Sequence, residues 1–128
     1  MVEPRFGPIY GKIWGSTQVV FEWNNIEINR LLPIKGSFCS EHKHHSKYSR
    51  FLVLRGKLRV KIFREHGLAG RAFVDTIDLG PGRSTDIPPG VWHQFEVLED
   101  DTDAIEIYWV VLDAGDIERR SEGGKHGD

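Results

Sequence analysis

Apolar residues along this chain alternate with polar ones instead of recurring at helical spacing, and that period confines it to β-structure. Leu58, Val60 and Ile62 are interleaved with Lys57, Arg59 and Lys61, and Ile26 and Ile28 alternate with Glu27 and Asn29. Gln18 to Trp23 and Ile105 to Leu112 are runs of β-branched and aromatic residues, which suit a pleated surface. Between the runs stand chain reversals at Leu32-Pro33-Ile34-Lys35-Gly36, Arg55-Gly56-Lys57, Gly80-Pro81-Gly82 and Pro88-Pro89-Gly90. Short strands separated by such turns predict an all-β sandwich or barrel. No ten-residue segment carries a helical stripe; a short helix or turn fits only around Asp113 to Arg120. Arg64 to Arg71 reads as an exposed connection, and Ser121 to Asp128 as a frayed tail.

The length, 128 residues, fits one domain with its core over about residues 15–113. Seventeen basic against 19 acidic residues give a net charge of −2, so there is no electrostatic reason to expect nucleic acid or an anionic membrane as partner. A single cysteine, Cys39, rules out an intramolecular disulfide and points to a reducing compartment. No apolar run is long enough to span a bilayer, and Met1 to Tyr10 lacks the pattern of a signal peptide. The expectation is a cytoplasmic protein.

The chemistry lies with the histidines. His42 and His44 are one residue apart, which on a strand puts both imidazoles on one face. His93 follows the Pro88-Pro89-Gly90 turn, precedes the strand-like run Gln94 to Leu98, and offers a third ligand from a neighbouring strand. Neutral imidazoles suit zinc, iron, manganese, nickel, cobalt or copper. On their own, His42 to Lys47 read as well as a polar, exposed strand end.

The punctuation around these residues resembles the two motifs of the cupin superfamily. The first reads Gly, five residues, His-x-His, three or four residues, Glu, six residues, Gly; here Gly36 is followed by five residues, His42-Lys43-His44, and then Gly56 at the expected distance. The second reads Gly, five residues, Pro-x-Gly, two residues, His, three residues, Asn; here Gly82 is followed by five residues and Pro88-Pro89-Gly90-Val91-Trp92-His93. The resemblance implies a small jelly-roll-like barrel (a double-stranded β-helix) holding one divalent metal ion, Zn, Fe, Mn, Ni or Co, near its open mouth. Two positions depart from the pattern. The glutamate ligand falls at Ser49 and the closing Asn at Val97, so the implied ligand set shrinks to His42, His44 and His93 with open positions for water or substrate. His45 and Cys39 are out of phase with the ligands: His45 reads as a surface or outer histidine, and Cys39 as a structural or surface thiol.

By the same parity, Phe38 and Phe95 face inward, and Phe51 shares its face with Ser49. Tyr48, Phe51, Phe95 and Tyr108 are the candidate substrate-pocket residues. Glu106, a carboxylate inside the apolar run Ala104 to Leu112, is the candidate catalytic acid or base; an outward-facing strand residue is its other reading. The last third, from Asp86-Ile87-Pro88-Pro89-Gly90 through Ile105-Glu106-Ile107-Tyr108-Trp109 to Asp116-Ile117-Glu118-Arg119, resembles mannose-6-phosphate isomerase-like, sugar-handling cupins. That resemblance implies a sugar or sugar-phosphate isomerase or epimerase, moving a proton through an enediol or enediolate while the metal polarises the carbonyl. A three-histidine iron(II) dioxygenase and a non-catalytic carbohydrate- or metal-binding module are the alternatives. Family resemblance also implies a homodimer, with Ile9 to Trp14 or Gln18 to Trp23 lent to the partner's sheet.

Overall fold

The computed structural model of the chain describes residues 7–64, 73–111, 119 and 125–126. The expected helix or turn at Asp113 to Arg120, the connection at Arg64 to Arg71 and the tail from Ser121 fall largely outside them. Among the described residues there are nine strands and no helix: β1 (Ile9–Lys12), β2 (Gly15–Trp23), β3 (Ile26–Pro33), β4 (Tyr48–Arg55), β5 (Leu58–Phe63), β6 (Phe73–Leu79), β7 (Ser84–Ile87), β8 (Trp92–Val97) and β9 (Asp103–Trp109). No described helix is long and apolar enough to cross a membrane.

The strands form two sheets, one of six in the order β1-β2-β3-β9-β4-β7 and one of three in the order β6-β5-β8. Every pairing is antiparallel, and from β4 onward the chain passes repeatedly from one sheet to the other, as in a jelly roll. Leu31, Phe51, Val53 and Ala104 from the larger sheet meet Leu58, Val60, Phe95 and Val97 from the smaller one in a buried apolar core. Burying those side chains at about 25 cal/mol per Å² of apolar surface is the main force closing the barrel. β1 pairs with β2 of its own chain.

The run from Gly36 to His42 lies along β8 as an irregular extra strand, not the regular strand that parity assumed. Phe38 bridges to Glu96 and His42 bridges to His93. Four steps on one side thus oppose three on the other, which is one extra residue, the definition of a bulge. The extra residue reverses the inside–outside sense along the run. Phe38 is consequently 62% exposed, not inward, and Cys39 is buried. The backbone carries this shift with Cys39 N–H donating to Phe95 O, while His42 and His93 exchange N–H···O bonds of 3.0 and 2.8 Å.

Candidate metal centre

β8 alternates strictly: His93, Phe95 and Val97 point into the barrel and are buried. His93 therefore occupies a place in an otherwise apolar row, at 1% exposure. Its backbone is tied to His42, which brings the first histidine onto the third. The rings of His42 and His93 lie 4.5 Å apart between centroids, those of His42 and His44 5.0 Å, and those of His44 and His93 5.6 Å. One ligand atom from each of the three falls within 4.8 Å of the others. His45, the neighbour of His44, is exposed and outside this group.

The tautomers suit ligation. Nδ1–H of His93 donates to Val91 O at 2.9 Å and Nδ1–H of His42 donates to Ser40 O at 2.8 Å, so in both rings Nε2 carries the lone pair. Nε2 of His93 and Nε2 of His44 are buried without a hydrogen-bond partner. Each such orphaned atom costs about 1–3 kcal/mol. Burial, followed for His44 by the charges of Lys47, His42 and His93, pushes the His93 and His44 imidazoles down to about 4. Both are thus neutral at pH 7, the form that binds metal. A divalent cation meets the three features together: orphaned nitrogens, neutral rings and a common focus. The residues present fit the ion.

Beside the histidines lies a cavity of about 400 Å³, bordered by His42, Glu106, Tyr108, Glu27, Asn29 and Cys39 among others. Glu106 faces inward, because it shares the inner face of β9 with Ala104 and Tyr108. Tyr108 Oη donates to Glu106 Oε1 at 2.6 Å, and the Tyr108 ring stands edge-on to His44 at 5.5 Å. Burial pushes the Glu106 carboxyl up to about 7; the Tyr108 hydrogen bond and Lys47 partly oppose this. Burial also pushes the Cys39 thiol up to about 11, keeping it protonated, and Phe95 N–H donates to its sulfur.

The four expected pocket residues divide. Tyr108 borders the cavity, and so does Phe95, which is buried and meets Trp14 edge-to-face at 4.9 Å. Phe51 does not: it is core, packed against the rings of His93 and Phe95 behind the site. Tyr48 is on the opposite face altogether. It stacks on Trp109 outside the barrel, because Ser49 takes the inward position on β4 and neighbours on a strand face opposite ways. Ser49 itself is fully buried, its hydroxyl without a hydrogen-bond partner. The sequence reading missed Glu27 and Asn29. Their signal was present in the alternation with Ile26 and Ile28, but periodicity does not say which of two faces is inside.

No family model and no curated protein matches the sequence. Solved structures do. KdgF from Halomonas sp. superposes with a TM-score of 0.62 at 18% identity, over 76% of this chain and 81% of that one. The capsular polysaccharide assembling protein CapF from Staphylococcus aureus gives 0.65 at 23% identity, over 89% of this chain but 33% of its own length, so this chain spans about a third of it. A cupin superfamily protein from Desulfitobacterium hafniense gives 0.58 at 15% identity, over 86% and 84%. With the two-sheet topology, these neighbours establish the fold: this is an all-β cupin barrel. This barrel carries three clustered histidines, and a buried serine at the position where the motif resemblance expects glutamate.

Proposed function

We propose that this protein binds one divalent metal ion (Zn, Fe, Mn, Ni or Co) on His42, His44 and His93, and is an isomerase or epimerase acting on a sugar or sugar phosphate. The observation that carries the reading is a buried carboxyl, Glu106, held by Tyr108 in a cavity that His42 also borders. Such an ion, once bound, supplies Lewis acidity toward a carbonyl and its adjacent hydroxyl. Glu106 takes the proton from the carbon next to the carbonyl. In isomerisation it returns it to the former carbonyl carbon while the hydroxyl proton passes through solvent from one oxygen to the other, and in epimerisation a proton returns to the same carbon on its opposite face. Tyr108, donating to Oε1, aims the carboxylate and steadies its charged form. With its carboxyl pushed up to about 7, Glu106 is a stronger base than an exposed glutamate and is still ionised at mildly alkaline pH. The structural likeness to a capsular polysaccharide assembling protein supports a carbohydrate substrate.

The test is solvent exchange. Metal-loaded protein in D₂O with a panel of aldoses, ketoses and their phosphates should place deuterium on the carbon next to the carbonyl, read by NMR. The rate should rise with pH through about 7, as Glu106 ionises. Glu106→Gln should lower it about 10²–10⁴-fold with metal content unchanged. No exchange across the panel with stoichiometric metal in place would rule out the reading.

We also propose a homodimer, formed through the outer face of the six-stranded sheet. Register aligns Trp23, Ile26, Trp109 and Tyr48 across four strands, with Phe21, Ile28 and Ile107 in the next row, all on the outside. Trp23 is 67% exposed and Phe21 49%. At ordinary strand spacing and rise these two rows cover roughly 19 by 13 Å, the apolar centre of a patch whose surrounding polar residues would complete the ~800 Å² per partner of a stable interface. The pairs Arg30–Asp103 and Arg50–Asp86 flank it, so a two-fold copy meets both signs of charge. Light scattering should give the mass of two chains for the wild type and of one for the double variant Phe21→Glu, Trp23→Glu. A wild-type monomer at 50–100 µM would exclude this interface.

A further inference from the structure

On the inner face of β3 and β9 the side chains change character abruptly. Leu31 faces Ala104, both fully buried and apolar. The next inward pair is Asn29 and Glu106, each 7% exposed, and the one after is Glu27 and Tyr108. Four polar side chains thus form a square of two directly opposed pairs. They are already bonded along the strands: Asn29 Nδ2 donates to Glu27 Oε2 at 3.1 Å, and Tyr108 Oη donates to Glu106 Oε1 at 2.6 Å. Nothing in the packing calls for this. Apolar residues at the same positions would continue the core row and avoid the desolvation of a carboxylate.

The square forms one wall of the 400 Å³ cavity, of the size that takes a single monosaccharide. Its chemistry is lopsided. Two carboxylates, each with several lone-pair sites, and the Asn29 carbonyl oxygen make it rich in acceptors. A ligand that satisfies it must be rich in donors, as the hydroxyls of a sugar are. A phosphate group has the opposite character: it is dianionic and accepts only. Among the residues bordering the cavity the one lysine or arginine is Lys12, and its side chain is exposed. Trp14 and Phe95 supply the apolar surface on which the C–H face of a sugar ring can rest.

We infer that the Glu27–Asn29–Glu106–Tyr108 wall is a hydroxyl-reading subsite that selects an uncharged monosaccharide over its phosphate ester. The inference rests on the carbohydrate reading above and narrows it.

The test is ligand-observed saturation-transfer NMR on zinc-loaded protein. The probes are D-glucose, D-mannose and D-fructose, each against its 6-phosphate, with metal content measured on every sample. At least one uncharged sugar should bind ten times or more tightly than its phosphate. Glu27→Gln, which removes one negative charge at a half-buried position, should narrow that gap at least threefold. Asn29→Leu should weaken the uncharged sugar about tenfold with metal content unchanged. A phosphate binding as tightly as its parent sugar, no binding by any of the three sugars, or a gap unmoved by Glu27→Gln would each overturn the inference; the Glu27 arm stands even if Asn29→Leu fails to fold. Metal content separates the two readings. Protein that takes no metal but still discriminates the sugars loses the metal centre and keeps the subsite; protein that takes metal and does not discriminate does the reverse.

Discussion

His93→Leu is expected to abolish metal binding while making the metal-free protein more stable. Two opposed results from one substitution follow from where the residue sits. His93 is at 1% exposure in the row His93, Phe95, Val97, facing the core and packed on Phe51. In the absence of metal it holds a buried Nε2 with no partner, which costs about 1–3 kcal/mol, and its ring must stay neutral although free histidine titrates near 6.5. Leucine removes the orphan and roughly keeps the volume. It gives up the Nδ1–H bond to Val91 O, worth about 1 kcal/mol, but the orphan and the enforced neutrality together outweigh that, so the metal-free melting temperature should rise. It should rise most below pH 6.5, and the sign is fixed by the direction of the shift. The folded imidazole is pushed down to about 4, so between 4 and 6.5 the unfolded chain binds the extra proton. Wild-type stability therefore falls as pH drops through that window, and the variant escapes this loss. Removing one of three ligands should meanwhile weaken zinc by on the order of a hundredfold or more. Metal analysis and melting with and without a chelator check both halves. If wild type and variant bound zinc equally, the three-histidine centre would be wrong. If the metal-free variant melted lower, His93 would be a satisfied core residue.

That pairing also shows why the histidines were legible in the sequence and much of their surroundings was not. Spacing and the motif resemblance together pointed to His42, His44 and His93, and the structure clusters them, because side chains carried on adjacent extended segments leave a short, regular signature. The turn glycines were legible for a similar reason: Gly36, Gly56, Gly82 and Gly90 have φ of 80, 82, 77 and 81°, a backbone that other residues rarely adopt. Facing was harder. A period of two gives two faces without naming the inner one, and the usual assumption that apolar means inside fails on β3 and β9. There Ile26, Ile28, Ile105 and Ile107 point outward and Asn29 and Glu106 point into the cavity. Both faces of this sheet have partly apolar surfaces to cover, and the inner one also carries the polar wall. The bulge before His42 was invisible for a different reason. It is set by how Cys39 and Phe95 meet across two segments 56 residues apart, and one inserted residue inverts everything on one side of it. Tyr48 was misplaced without that excuse: Ser49 and Phe51 inward already required Tyr48 outward.

Gly56→Ala should be strongly destabilising, and the reason is local. Gly56 makes the turn from β4 to β5 with φ of 82°. An L-residue there costs about 1–2 kcal/mol in backbone strain alone. Unlike Gly36, Gly82 and Gly90, Gly56 also has something above it: an added Cβ would lie 2.6 Å from the Cα of Thr102 and 2.3 Å from its Oγ1. Thr102 cannot step aside cheaply. It is 3% exposed, its hydroxyl donates to Glu99 O at 2.7 Å, and its Oγ1 accepts from Lys57 N–H at 3.3 Å. Those bonds hold the turn joining β8, which carries His93, to β9, which carries Glu106. Overpacking against a fixed backbone adds about 1–3 kcal/mol. The total, about 2–5 kcal/mol, should lower the melting temperature by roughly 10 °C or more. Gly90→Ala is the control, since Gly90 has nearly the same φ, 81°, with nothing within 4 Å of the added carbon. It should show the strain without the clash, a fall of roughly a third to a half as much. Equal melting temperatures for the two variants would mean that backbone strain alone governs both turns, and that Thr102 does not buttress the β8–β9 connection on which the ligand and the carboxylate depend.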